Sequence, residues 1–258
     1  MTMYMITHKM VSFIPKGRVP IFAGNGNNNK KFLGDNTGDN ISNKNKNYSE
    51  LTAMYWIWKN DRTSEYVSVE HYRRFFMDPS HFIPKIISNK KISRLIKNYK
   101  IIVSQKQKWA VTIGYHYKNN HSTKDYNNVF NIIKDLYPDY INDFEKIMKG
   151  NSLYAFNMVV MSKKMFDNYC NWLFTILFKL EQITDLSKRN AYQQRAYGFM
   201  SERLFNVWIL HNIDHKDIIE LPVYYLTNNK LKTILKSLKA RINKKPYFPK
   251  KSTESLDQ

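Results

Sequence analysis

The sequence predicts an α/β fold: a single domain with a central mixed sheet flanked by helices, followed by a basic C-terminal helix or tail. Three observations predict it. Short apolar runs suited to buried strands, at residues 4–7, 66–69, 101–103 and 154–161, alternate with longer stretches of helical periodicity. The run at 66–69, Tyr-Val-Ser-Val, passes directly into Glu70, His71, Tyr72, Arg73 and Arg74. In open α/β sheets ligands sit at the carboxyl ends of strands, and a carboxylate, an imidazole and two guanidinium groups there suit a diphosphate, with or without a metal. Finally, Lys and Arg thicken after Asn229, where leucines and isoleucines recur at helical spacing. That sets a boundary between a domain at 1–228 and an amphipathic tail at 229–258.

Composition narrows the class. The 258 residues suffice for one large α/β domain or two small ones, and 43% hydrophobic residues, 15% of the chain aromatic, indicate a packed core. The single cysteine, Cys170, excludes a disulfide framework and a multi-cysteine zinc site, and its apolar surroundings suit a buried small hydrophobe. Residues 1–17 lack the basic start, long apolar stretch and small-residue cleavage site of a secretory signal, so the protein is expected to stay where it is made. The longest nearly uncharged apolar stretch, 169–178, falls well short of the roughly 20 residues that span a bilayer. A formal charge of +20 points to a polyanionic partner: nucleic acid, an anionic membrane or a phosphorylated substrate. An AT-rich coding bias raises lysine in the same way without any binding role.

Taken in order, residues 4–7 form a first strand ending at His8 and Lys9. Pro15, Gly17 and Pro20 and the run GNGNNNKKFLGDNTGDN make the next segment a loop, flexible at 25–29, with at most a short strand at 21–23. Tyr48, Leu51, Tyr55 and Trp58 then share a helical face that Asn47 or Ser49 can cap, and this helix leads into the 66–69 strand. A polar stretch with Pro79 and Pro84 precedes a basic helix at 88–99 and a strand at 101–103. Residues 109–121 read as an aromatic, histidine-rich loop; His116 and His121 are five apart, a poor match for a helical metal pair, and suit surface positions or contacts to a sugar or phosphate. Two helices, broken at Tyr137-Pro138, fill 126–149. A buried strand at 154–161 carries one amide, Asn157. Helices at 164–181 and 198–211 and a last strand at 218–225 complete the domain. Neither a GxGxxG nor a GxxxxGK[ST] phosphate loop is present, nor an internal repeat.

Seven blocks resemble the bacterial capsular and exopolysaccharide glycosyltransferases long grouped under a domain of unknown function. They are DNTGDNIS at 35–42, KNxxYxELTxxYWxWKN at 44–60, HYRRFF at 71–76, the histidine pair at 115–121, NMVVM at 157–161, YCNWLF at 169–174 and RAYGFMSERLFNVWI at 195–209. They stand in the family's order and cover nearly the whole chain up to about Leu226. The resemblance implies a GT-A-like fold and transfer of a sugar, by inversion, from a nucleotide sugar to a lipid-linked glycan acceptor. It implies a UDP-sugar as donor, with UDP-galactofuranose a candidate. It also implies a cytoplasmic, peripheral location on the inner face of the cell membrane, with the tail on the anionic surface. Such folds normally carry an Asp-x-Asp that holds a divalent metal; this chain has none, so Arg73 and Arg74 are expected to hold the diphosphate instead, or Glu70 and His71 to bind Mn²⁺ or Mg²⁺.

The remaining site residues follow from the same resemblance. Thr7, His8, Lys9, Asp35 and Asn40 are expected on the donor side, Asp39 beside them, and Asn157 near the donor. His116, His121 and Arg195 are expected toward the acceptor. Glu202 is the expected catalytic base, with Asp39 as fallback, because it lies where inverting enzymes of this fold carry an acid. Each has a plainer reading: the DNTGDN loop as a turn bonding its own amides, Glu202 as a helix-start residue paired with Arg195 or Arg203, and the tail as a helix packed on the domain. Two other functions stand beside transfer: nucleic-acid binding, suggested by the charge and the aromatics but disfavoured because most aromatics fall in core-like periodic stretches and no nucleic-acid motif is present, and a catalytically inactive membrane-associated homologue.

Overall fold

In the computed structural model, which describes residues 1–24 and 31–242, six strands run parallel and end along one edge, and one runs against them. In chain order the elements begin with β1 (Thr2–Thr7), β2 (Val19–Phe22), β3 (Leu33–Gly34), α1 (Asn45–Tyr48), α2 (Leu51–Asn60), β4 (Tyr66–His71), β5 (Arg74–Phe76) and α3 (Asn89–Leu95). Next come β6 (Ile101–Ser104), β7 (Gln107–Lys108), α4 (Ile113–Asn120), α5 (Thr123–Leu136), α6 (Ile141–Lys149), β8 (Ser152–Leu153) and β9 (Val159–Ser162). The chain closes with α7 (Lys163–Gln182), α8 (Ala196–Asn212), β10 (Ile218–Leu221), β11 (Val223–Tyr225) and α9 (Lys230–Ile242). The sheet order is β10-β6-β9-β4-β1-β2-β3, with β5 and β11 forming an extension off β4, and β7 and β8 a separate ribbon. Strand β9 is antiparallel to both β4 and β6, so its first residues lie at the edge where its neighbours end.

The alternation of the strands assigns the two faces. Tyr4, Ile6, Val67, Val69, Val159 and Met161 join the main core with α2, α7 and α8. Met3, Ile102 and Val160 face the other way, onto Ile92 and Ile96 around α3. Aromatics that suggested base stacking are spent on the core: Tyr55, Trp172 and Phe174 are buried, and Trp58 lies stacked on Phe174 with ring centroids 5.7 Å apart.

Several local expectations are corrected. The helix anticipated through Tyr48 and Leu51 is broken at Ser49, whose φ of 53° no α-helix accommodates. Residues 154–158 are not strand; only Val159–Ser162 is. Helix α4 occupies much of the anticipated histidine loop. The last strand is two, separated at Pro222, which cannot donate to a ladder. The flexibility expected at 25–29, and the tail beyond Ile242 with Lys244 and Lys245, lie outside the described residues. Helix α9 does form, but its buried positions are Thr233 and Ser237, while Leu231 and Leu235 face solvent.

Candidate active site

Adjacent residues of a strand point to opposite faces, and this divides the charged cluster at the end of β4. Glu70 points to the α3 side, where it is fully buried and paired with Arg18 at 2.8 Å. It also accepts the Phe76 amide at 2.8 Å. Arg18 is held in turn by Asn89 Oδ1 and the Ile87 carbonyl. The Glu70 carboxylate is thereby committed inside the protein, so the expected donor and metal role is corrected to a structural one. His71 points to the α8 side, where its Nε2 donates to the Phe156 carbonyl at 2.5 Å. A carbonyl only accepts, so Nε2 carries the proton, and burial lowers the ring's pKa to about 4, keeping it neutral near pH 7. The two residues therefore cannot share a divalent ion, and the pair does not fit one.

The Phe156 carbonyl belongs to a strained turn. Among the described residues three non-glycine positions have positive φ, Ser49 at 53°, Phe156 at 76° and Asn157 at 52°, and Asn157 bonds Glu50, the neighbour of Ser49. Such backbone persists only where surroundings over-determine it, and it gathers at functional sites. Here the braces are explicit. Glu202 Oε1 accepts the Phe156 amide at 3.1 Å, and His71 holds the carbonyl. The Asn157 side-chain amide donates to Glu50 Oε1 at 3.0 Å and to Ser201 Oγ at 2.9 Å, leaving its buried Oδ1 without a protein partner. The α1–α2 junction packs directly on α8 at Gly198, with Ser49 at contact distance. The turn thus brings two carboxylates, Glu50 and Glu202, to the carboxyl edge. Glu202 is partly exposed, and burial together with the charge of Glu50 raises its pKa, against the pull of Arg203, the Phe156 amide and Arg74.

Cations converge on the same edge. Lys9 and Arg73 lie over the Tyr72 ring, 5.5 and 4.8 Å from its centroid, and Arg74 lies over Phe156 at 4.3 Å. Arg195 donates from Nε to Ser49 Oγ at 3.0 Å. None of these four forms an ion pair among the described residues, and Arg74 Nε is buried without a partner. His8 sits edge-on to Tyr72, its pKa lowered by burial and then by Arg73, Lys9 and Arg195. Thr7 is buried, its hydroxyl bonded to the Lys9 backbone, which fixes the turn that presents His8 and Lys9.

Other expected residues stand elsewhere. His116 and His121 are buried behind Glu202, not open to an acceptor. Arg203 Nη2 donates to His116 Nδ1 at 3.2 Å, His121 is stacked on Phe199, and burial beside Arg203 lowers the two pKa values to about 3 and about 2. The cause is α4, which turns His116 inward with Ile113 and Tyr117. Arg203 is itself buried, bonded to the Phe199 carbonyl and 3.4 Å from Glu202 Oε2, so it backs Glu202 from within. Asp35 is buried and accepts the Gly24 amide and the Ser42 hydroxyl, while Asn40 bonds Gly38 and Ser42, both in the local pattern of a turn. Asp39 accepts from Tyr55 and binds Asn60 through its backbone. Asn60 ends α2 and Glu50 precedes it, so the Asp39 backbone is held at the opposite end of that helix from Glu50, with its carboxylate engaged by Tyr55. The sequence reading passed over Glu50, Ser49 and Ser201, although Glu50 stands in the quoted ELT block.

Comparison with known proteins agrees with this architecture. No curated protein matches. Among solved structures, the apo form of the bifunctional glycosyltransferase WbbM superposes with a TM-score of 0.79 at 30% sequence identity, over 88% of this chain and 45% of WbbM. The chain thus spans less than half of that protein, whose matching part has the same GT-A-like α/β fold. The family model described as a domain of unknown function, DUF4422, matches residues 2–213, and the chain belongs to that family.

Proposed function

We propose that this chain is a glycosyltransferase that moves a sugar from a UDP-sugar, with UDP-galactofuranose the first candidate, to a lipid-linked glycan acceptor, with inversion. The observation that carries the reading is the meeting of cations free of carboxylate partners with a carboxylate of raised pKa on a strained, fully braced turn at the carboxyl edge of the sheet. Arg73, Arg74 and Lys9 take the donor diphosphate, using charge-assisted bonds to offset the negative charge that grows on the leaving group. Arg195, anchored on Ser49, lies toward the acceptor side. Glu202 takes the proton from the attacking hydroxyl; its raised pKa makes it a stronger base than an exposed glutamate. Glu50 and Asn157 position that carboxylate and its turn, and Arg203 holds it from behind. Glu70 and His71 do not fit a metal together, and no step is drawn through one.

A lipid-linked acceptor places the reaction at the inner membrane face, and the basic α9 supports peripheral attachment there. The test of the reading is a panel of nucleotide sugars scored by thermal stabilisation, with and without Mn²⁺, followed by transfer assays. A ligand that binds only the native state at about 100 times its Kd adds about 2.7 kcal/mol. One or more UDP-sugars should raise Tm. A panel with no stabilising nucleotide sugar, beside a salt-sensitive gel shift with nucleic acid, would replace the proposal.

A further inference from the structure

Three segments on the α3 side of the sheet share an unusual composition. Residues 10–19, 79–89 and 226–242 contain no Asp or Glu at all, yet carry Lys16, Lys85, Lys230, Lys232, Lys236 and Lys239 among their cations. The same segments hold much of the exposed large hydrophobic surface: Phe82 is 89% exposed, Ile83 67%, Leu231 65% and Leu235 58%, with Phe13 and Ile14 close behind. Monomeric soluble proteins rarely leave such surface grouped and uncovered.

The segments are one surface. Arg18 and Asn89 tie the first to the second, and Arg241 of α9 donates to the carbonyls of Pro79 and His81, next to Phe82. Helix α9 is seated on β11 by polar groups, with Ser237 Oγ accepting the Tyr225 amide and Thr233 Oγ1 the Thr227 amide, while Leu231 and Leu235 look outward. A terminal helix that merely covered the domain would turn its leucines in. Between the first two segments lies an open groove of about 660 Å³, walled by Phe13, Ile14, Pro84, Ile86 and Tyr224. This surface reaches the active-site edge: Lys236 lies over the Tyr225 ring, 4.8 Å from its centroid, and Tyr225 pairs with Arg74 between β11 and β5.

We propose that this face is a bilayer-docking surface, with Phe82 and Ile83 as its inserting tip, the outward leucines of α9 beside it, and the groove occupied by a lipid hydrocarbon chain. The occupant follows from charge: an acid-free apolar surface ringed by lysines complements anionic lipid, in which apolar tips enter the interface and cations stay at headgroup level. The inference builds on the membrane-facing reading above but moves attachment from the basic tail alone to a folded face, and orients the donor edge along the membrane.

The test is co-sedimentation of the full chain with vesicles of phosphatidylcholine alone and of phosphatidylcholine mixed with phosphatidylglycerol. Wild-type protein should bind the mixed vesicles, less at high salt, and Phe82→Ser with Ile83→Ser should weaken binding by about tenfold or more. The double variant should keep its Tm and its nucleotide binding, because both side chains are exposed. Ile183→Ser, an exposed apolar position outside these segments, should bind as wild type. Wild-type binding left intact by the double variant would overturn the docking face and leave the membrane reading standing; no vesicle binding by wild type would overturn both. A dimer in sedimentation equilibrium, abolished by the double variant and unaccompanied by vesicle binding, would assign the face to a second copy of the chain and overturn the proposal.

Discussion

Glu70 and His71 are neighbours in one strand, and the regions they enter behave in opposite ways. On the α3 side, Glu70, Arg18, Asn89 and the Phe76 amide satisfy one another. On the α8 side, His71 braces a strained turn, Glu202 has a raised pKa, and Arg74 Nε and Asn157 Oδ1 have no protein partner. A saturated polar network specifies structure, whereas a braced but incompletely satisfied one is arranged for something that arrives later. Charge density alone does not separate the two.

The comparison can be broken most severely at Glu70. Glu70→Ala leaves Arg18 buried without its counter-ion, and removing one partner of a buried pair costs about 3–5 kcal/mol. Urea unfolding should show that loss, while the folded fraction binds donor as wild type does; lost donor affinity at unchanged stability would merge the two regions. A smaller effect is expected at the cations. Arg73→Ala, exposed and over Tyr72, should leave Tm unchanged and weaken donor binding by about tenfold, the equivalent of about 1.4 kcal/mol. Calorimetric titration with the stabilising nucleotide measures it, and unchanged affinity would remove Arg73 from the site.

The smallest effect is a matter of sign. A glutamate whose pKa is raised by folding is disfavoured as a carboxylate in the native state; its favourable contribution is present below the unfolded pKa and lost as pH rises through the folded one. Glu202→Gln should therefore be slightly more thermostable than wild type at neutral pH, with the difference vanishing toward acid. A Glu202→Gln protein less stable than wild type at neutral pH, with the deficit closing in acid, would mean that Glu202 is held as a stabilised anion, contrary to the assignment.

Much of this arrangement was legible in the sequence, and the misreadings have physical causes. The strand into Glu70–His71 was visible from its apolar run, but reading 70–74 as one cluster ignored the alternation that sends neighbours to opposite faces. Residues 154–158 look like strand because Phe156 and Asn157 adopt left-handed backbone only under four tertiary braces, none of them local. His116 and His121 passed as loop residues because α4 is a short helix whose inward face is paid for by contacts to Arg203 and Phe199, distant in the chain. Glu50 was hidden by the same cause as the turn: it reaches the site only through its hydrogen bond to Asn157, distant in the chain. Local pattern carries the elements; the site is written in contacts between them.

The central claim is that Glu202 is the base on the braced turn. It is tested most directly by Glu202→Gln in a transfer assay, with donor affinity measured on the same preparation. The account predicts turnover lower by about 10²-fold or more with donor affinity unchanged, and a wild-type kcat/KM that declines in acid through a pKa above that of an exposed glutamate. A Glu202→Gln protein that turns over at the wild-type rate would contradict it.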